Sequence, residues 1–150
     1  MIFVIQRVKE ASVRVDGEIT GRIGCGFMVL IGVCEEDDEN TAQRLIKKML
    51  GLRIFRDEQG KTNLSLESVN GSLLLVSQFT LYADCRKGNR PSFLKSGSPE
   101  HAQKLYDHIV ESCRSSLGSE RVATGIFGAE MEVSLINDGP FTIILDSDQL

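Results

Sequence analysis

Two short polar segments stand out against the apolar background of this sequence: Ser77-Gln78-Phe79-Thr80-Leu81-Tyr82, which runs on into Asp84-Cys85-Arg86-Lys87-Gly88-Asn89-Arg90-Pro91-Ser92-Phe93, and Asn137-Asp138-Gly139-Pro140-Phe141-Thr142. The first sets hydroxyls and an amide at the end of a hydrophobic run, where a rigid strand can present them to a reacting group. Arg86, Lys87, Arg90 and Lys95 then fall within ten residues of one another, with Tyr82 and Phe93 as aromatic neighbours. That mixture suits a phosphodiester backbone and a stacked base. It equally suits a solvated basic loop that Phe93 anchors to the core, because most charged loops are only solvated.

Side-chain bases are scarce. The two histidines, His101 and His108, lie seven positions apart in a stretch of helical periodicity and outside both polar segments. Structural or surface roles therefore suit them better than catalysis, and a Ser-His-Asp arrangement has little support. Cys25, Cys34, Cys85 and Cys113 are scattered without a Cys-x-x-Cys pair, as expected of reduced thiols rather than of a disulfide framework or a zinc site. The acidic run at 35–39 reads as a solvated stretch leading into a helix. No metal and no cofactor is expected.

These segments need a scaffold, and 150 residues suffice for one domain, 1–150, with a core of its own. A hydrophobic content of 41% with 25% charged residues is that of a globular protein. The longest apolar stretch, 27–33, is far short of the roughly 20 residues of a membrane helix, and the first residues show no secretory pattern. The expected location is the cytoplasm. The net charge of −4 argues against nucleic-acid binding by overall charge and leaves only local basic patches for it.

Residues 2–8, 12–15 and 18–23 alternate or run apolar as strands, and Asp16-Gly17 is a tight-turn signal between the last two, so the chain is expected to open as a β-meander. Residues 27–34 read as a central strand buried on both faces. From Asp38 the period changes: Ala42, Leu45, Ile46, Met49 and Leu50 mark a first helix. Strands follow at 53–55 and 73–76, with turns at 57–60 and Asn70-Gly71. Ser98-Pro99-Glu100 starts a second helix, whose stripe Ala102, Leu105, Tyr106, Ile109, Val110, Cys113 and Leu117 ends at Gly118. Closing strands are expected near 122–126, 131–136 and 141–145. The fold class is therefore α/β, a single strand-rich domain of mainly antiparallel sheet forming a barrel-like core covered by two main helices.

The two polar segments closely resemble the signature motifs of D-aminoacyl-tRNA deacylases: S-Q-F-T-L-Y, a basic stretch ending R-P-S-F, and N-x-G-P-V-T. The likeness extends through Gln6-Arg7-Val8, Ala11-Ser12-Val13, Asn63-Leu64-Ser65-Leu66 and Thr124-Gly125-Ile126-Phe127-Gly128-Ala129. Cys85 stands where that family commonly has Thr, and Phe141 where it commonly has Val. The resemblance implies the deacylase-like fold and a hydrolase for translation quality control. Such an enzyme cleaves the ester of D-aminoacyl-tRNA, with glycyl-tRNA as a side substrate, and leaves L-aminoacyl-tRNA intact.

It further implies the site. Ser77, Gln78, Phe79 and Thr80 form the catalytic segment. Thr80 or Ser77 is a candidate nucleophile without an evident base, so main-chain amides around Phe79 and Thr80 are preferred as oxyanion donors, with the ribose 2′-hydroxyl helping to activate water. Gly139 and Pro140, joined by a cis bond and held by Arg7, form the chiral gate. Arg86, Lys87 and Arg90 bind tRNA. The protein acts as a homodimer in which the Gly-Pro loop crosses into the partner's site, without any membrane association. Two rival readings stay open at this level: a deacylase for a small L-amino acid with a trans Gly139-Pro140, and a non-catalytic RNA-binding module.

Overall fold

The computed structural model describes residues 1–150. Its scaffold is one long strand, β1 (Ile2–Val15), which pairs antiparallel with β2 (Glu18–Ile23), β3 (Gly26–Gly32) and the last long strand, β8 (Glu132–Asp146). The path β2-β1-β3 continues through β6 (Ser72–Ser77) to β7 (Val122–Thr124). The opening is therefore not a meander: β3 returns to β1 rather than to β2, so that the N-terminal half of β1 takes β3 and its C-terminal half takes β2, while β8 runs along both halves. Most pairings are antiparallel as expected, but β3–β6 and β6–β7 are parallel. The helices supply the crossovers that parallel neighbours require: α1 (Glu39–Leu50) lies between β3 and β6, and α2 (Pro99–Leu117) between β6 and β7. A small separate ribbon, β4 (Phe55–Arg56) with β5 (Thr62–Leu64), stands slightly later than the strand expected at 53–55.

The apolar run of β6 has a two-sided explanation. Leu73 and Leu75 join the cluster under the helices with Phe3, Phe27, Leu45 and Ile109, while Leu74 and Val76 join a second cluster with Val8, Val13 and Met28. A strand buried on both faces cannot alternate polar and apolar residues. The second cluster fills the space the curled sheet encloses. At Gly21 in β2, a Cβ would sit 2.4 Å from the Thr124 carbonyl oxygen of β7 and 3.1 Å from Leu74 Cδ1, so the two ends of the sheet path nearly meet there. That approach makes the sheet barrel-like.

Both helices begin where local signals place them. Asp38 caps α1 by accepting from the Thr41 N–H at 2.7 Å. For α2 the sequence points to Ser98, yet its side chain makes no cap bond. Instead Glu35 reaches across and accepts from the Ser98 N–H at 2.7 Å. The C-terminal region departs most from expectation: residues 131–136 and 141–145 are not two strands but parts of the single β8, interrupted by a bulge. Gln6 pairs with Thr142 and Val8 with Asn137, so Arg7 alone faces the four residues 138–141. All four cysteines are free, and no helix is long and apolar enough to cross a membrane.

Candidate active site

The central strand β6 delivers the first polar segment. Its pairing with β3 is extended by the Gln78 N–H, which donates to the Ile31 carbonyl at 2.8 Å. The chain then turns sharply into a short 3-10 helix, Phe79–Tyr82. Gly32 makes room for this turn: a Cβ there would lie 3.0 Å from Leu81 Cβ. The N–H groups of Phe79 and Thr80 are the first donors of the turn and have no acceptor within it. None of its four residues is buried, and Phe79 itself is 57% exposed.

Beside this turn lies a cavity of about 710 Å³, a size typical of small-molecule sites. Ser77 and Gln78 contribute polar groups to its lining, and Phe79, Phe93, Tyr106, Phe127 and Met131 contribute apolar walls. Thr80 does not line it but stands next to it, its Oγ1 accepting from Gln78 Nε2 at 2.5 Å. Tyr106 donates its hydroxyl to the Leu75 carbonyl at 2.8 Å, and burial pushes its pKa up to about 12, so it is a neutral wall and not an acid-base group. The histidines are engaged elsewhere: His101 Nε2 lies 3.0 Å from the Asp37 carbonyl and His108 Nε2 3.0 Å from Gln43 Nε2. Phe93 and Phe127 lie in segments the family likeness covers, but nothing local marks the walls as belonging to one cavity. Tyr106 reads only as part of a helical core stripe, and Ser96 and Phe127 carry no local signal that would send them to the same cavity.

The second polar segment is held at a different place. Arg7 is a side chain of β1 only 1% exposed. Its Nε donates to the Asp138 carbonyl at 3.0 Å and lies 3.0 Å from Asp138 Oδ2, and one terminal nitrogen donates to the Ile54 carbonyl. The other terminal nitrogen, NH2, is buried without a partner. The guanidinium also lies 4.3 Å from the centre of the Phe141 ring, which gives this position a cation–π contact. Asn137 ties the bulge closed by donating to the carbonyls of Arg7 at 3.1 Å and Phe141 at 3.0 Å. The Gly139–Pro140 peptide bond is cis. Neither residue of that pair, nor Arg7, lines the cavity beside Phe79 in the same chain.

The basic residues form a third group. Asp84 and Ser92 bridge the neck of their loop through paired main-chain bonds of 2.7 and 3.0 Å. Arg86 is clamped by Asp84 through Nε at 2.9 Å and NH2 at 2.5 Å, and this hydrogen bonding holds the Asp84 carboxyl well below the usual carboxylate range. Lys87 and Arg90 are exposed at the tip. Thus Ser77 to Phe79 share the cavity with Thr80 beside it, Arg7 joins Gly139 and Pro140 on another face, and Arg86, Lys87 and Arg90 lie apart from both.

The family model for D-Tyr-tRNA(Tyr) deacylase matches residues 4–146. The chain is 55% identical over 145 residues to a D-aminoacyl-tRNA deacylase of Aliivibrio salmonicida, covering 97% of this chain and 99% of that one. It is 52% identical over 147 residues to its namesake in Thermosipho africanus, covering 98% and 97%. Among solved structures, a chain described as c-Myc DNA Unwinding Element Binding Protein superposes with a TM-score of 0.92 at 41% identity, covering 97% of this chain and 98% of that one. A probable eukaryotic D-amino acid tRNA deacylase superposes with a TM-score of 0.83 at 20% identity, covering 96% and 97%, and shares the fold.

Proposed function

The chain belongs to the D-Tyr-tRNA(Tyr) deacylase family, and from that premise we propose that its 150 residues act as one chiral proofreading domain at the Phe79 cavity. It is a hydrolase of aminoacyl-tRNA esters. The observation that carries the site is the turn at the end of β6, where two main-chain donors without acceptors in their own turn adjoin a cavity whose lining takes polar groups from Ser77 and Gln78.

Hydrolysis adds water to the ester carbonyl carbon and breaks the bond to the ribose 3′-oxygen, which leaves with a proton. Charge develops on the carbonyl oxygen. Donors fixed in advance at that oxygen are worth about 3 to 4 kcal/mol each, and the Phe79 and Thr80 N–H groups are placed in that role. With the Thr80 hydroxyl already accepting from Gln78, and with no histidine at the cavity, attack by water fits better than a covalent intermediate. The 2′-hydroxyl of the terminal ribose serves as the activating group.

Selection for the D-enantiomer is assigned to Gly139 and Pro140, whose carbonyls accept the substrate's amino group and obstruct an L side chain. Glycyl-tRNA(Ala), with no side chain to obstruct, is a side substrate. Since the loop does not reach the cavity of its own chain, the gate is contributed by a second copy in a homodimer. The tRNA backbone is met by Lys87, Arg90 and Arg86, and the cytoplasm is where the charged tRNA is found.

The test is release of amino acid from D-Tyr-tRNA and L-Tyr-tRNA under identical conditions. Rapid release from the D-ester with the L-ester left intact is expected. Equal release from both would remove the chiral gate, and binding without release from either would leave only an RNA-binding module.

A further inference from the structure

We propose that Ser96 is a positioning residue for the deacylation site, holding the Phe79–Thr80 peptide through a hydrogen bond to the Phe79 carbonyl; this rests on the assignment of the Phe79 and Thr80 amides to the oxyanion. The Ser96 hydroxyl donates to that carbonyl at 3.0 Å. The need for such a bond comes from the turn itself. In this four-residue 3-10 turn Leu81 and Tyr82 are half-buried but Phe79 is exposed, so packing holds the Phe79 end least, and short 3-10 segments have weak internal hydrogen-bond geometry. Yet electrostatic stabilisation requires donors that do not reorganise as charge develops.

The segment carrying Ser96 is built to impose that rigidity. Gly97 donates its N–H to the Val33 carbonyl at 2.9 Å, Ser96 donates its own to the Phe93 carbonyl at 3.0 Å, and Cys34 and Ser96 form an antiparallel bridge just beyond β3. At its far end the Ser98 N–H is held by the Glu35 carboxylate. The same strap also grips the ring of Phe79: Phe93 meets it edge-on, with centroids 5.1 Å apart and planes at 69°. One residue of the turn is thus fixed at its carbonyl and at its side chain by one anchored segment.

The carbonyl of Phe79 and the N–H of Thr80 belong to a single planar unit. A bond to the oxygen sets the plane in which the N–H lies, and it polarises the unit so that the N–H becomes a stronger donor. The effect falls on the transition state more than on substrate binding, so it is read in kcat and not in KM.

The experiment compares Ser96→Ala, Ser96→Cys and Ser96→Thr with the parent protein in single-turnover and steady-state deacylation of D-Tyr-tRNA, with melting temperature measured alongside. Loss of one hydrogen bond predicts a fall in kcat of about threefold to tenfold for Ser96→Ala at nearly unchanged KM. Ser96→Thr, which keeps the hydroxyl, should restore the parent rate, and Ser96→Cys, a weaker donor, should fall between them. An unchanged kcat in Ser96→Ala, a rise in KM alone, or equal losses in the Ala and Thr variants with a lowered melting temperature would each overturn the proposal. Failure of the parent protein itself to release D-tyrosine would instead strike the function proposed above, before any variant is compared.

Discussion

The Phe79 turn and the Gly139–Pro140 bulge are both main-chain devices at breaks in strands, but they are supported in opposite ways. The turn has an exposed Phe79 and three half-buried neighbours, and it depends on outside segments, Gly32 below it and the 93–97 strap beside it, for its shape. The bulge projects from the middle of a strand pairing and is held from within by one fully buried cation, with its mouth tied by Asn137. The contrast separates two tasks. On the proposed assignment, the site that would bind and release a large substrate is the one braced from its edges, and the device that would discriminate by shape is the one locked onto the core.

Removing Arg7 should test that contrast most severely. Arg7→Ala leaves the Asp138 and Ile54 carbonyls without their donor and opens a void beside Phe141. Unpaired carbonyls together with an unfilled void of this kind cost about 2 to 5 kcal/mol, measurable by urea unfolding. Protein that remains folded should discriminate poorly, with the ratio of D-Tyr-tRNA to L-Tyr-tRNA hydrolysis falling by about tenfold or more, a loss of about 1.4 kcal/mol in relative transition-state binding. Arg7→Lys should not rescue either property, since an ammonium cannot reproduce the planar fork. Retained selectivity in a stable Arg7→Ala protein would mean that the bulge holds itself.

A smaller but sharper effect concerns whether turn and bulge work across two chains. Gly139→Val puts side-chain bulk where the substrate's amino group is expected, and Gln78→Ala removes the amide that holds Thr80. Each alone should be nearly inactive. If the bulge of one copy completes the cavity of another, a mixed dimer has one intact site, and random pairing of the two variants should recover about a quarter of the parent activity. No recovery on co-expression would place turn and bulge in the same chain's service, or show that the bulge is not needed.

Local chemistry made parts of this molecule legible and hid others. Asp38, Ser98-Pro99 and Gly118 bracket two helices because caps and breakers act within a few residues, and Asp16-Gly17 marks its turn because both adopt positive φ, 49° and 82°. Asn137-Asp138-Gly139-Pro140 carries equally strong turn chemistry, yet β8 runs through it: residues 132–136 and 142–146 both pair with β1, some 130 positions away, and that ladder outweighs the local signal. The order β2-β1-β3 was hidden for the same reason. The Ser77-Gln78 part of the cavity lining was readable as a motif. That the walls belong to one cavity was not, because Ser96, Tyr106 and Phe127 come from a loop, a helix stripe and a post-strand turn that only the tertiary fold unites. Phe141, a departure from the family pattern, finds its explanation in the contact with Arg7, whereas nothing in the structure explains Cys85.

The least effect is expected at the basic loop, which shares neither form of support. Asp84 closes the loop with its main chain and neutralises Arg86 with its side chain, so of the three cations assigned to tRNA only Lys87 and Arg90 present unshared charge. The hydrogen bond from Arg86 lowers the Asp84 pKa, so the pair is fully formed above the ordinary carboxylate value and is lost only when the pH falls through the lowered one. Across pH 5 to 8 it should therefore not titrate, and the KM for tRNA should show no step assignable to it. Asp84→Asn keeps the main-chain bridge and releases Arg86. One additional phosphate contact steepens the fall of log affinity with log salt by about one. The tRNA KM at low salt should drop a fewfold while kcat and D/L selectivity stay as they were. A change in selectivity instead would tie this loop to the turn or the bulge, and the division of the molecule into independently supported regions would have to be redrawn.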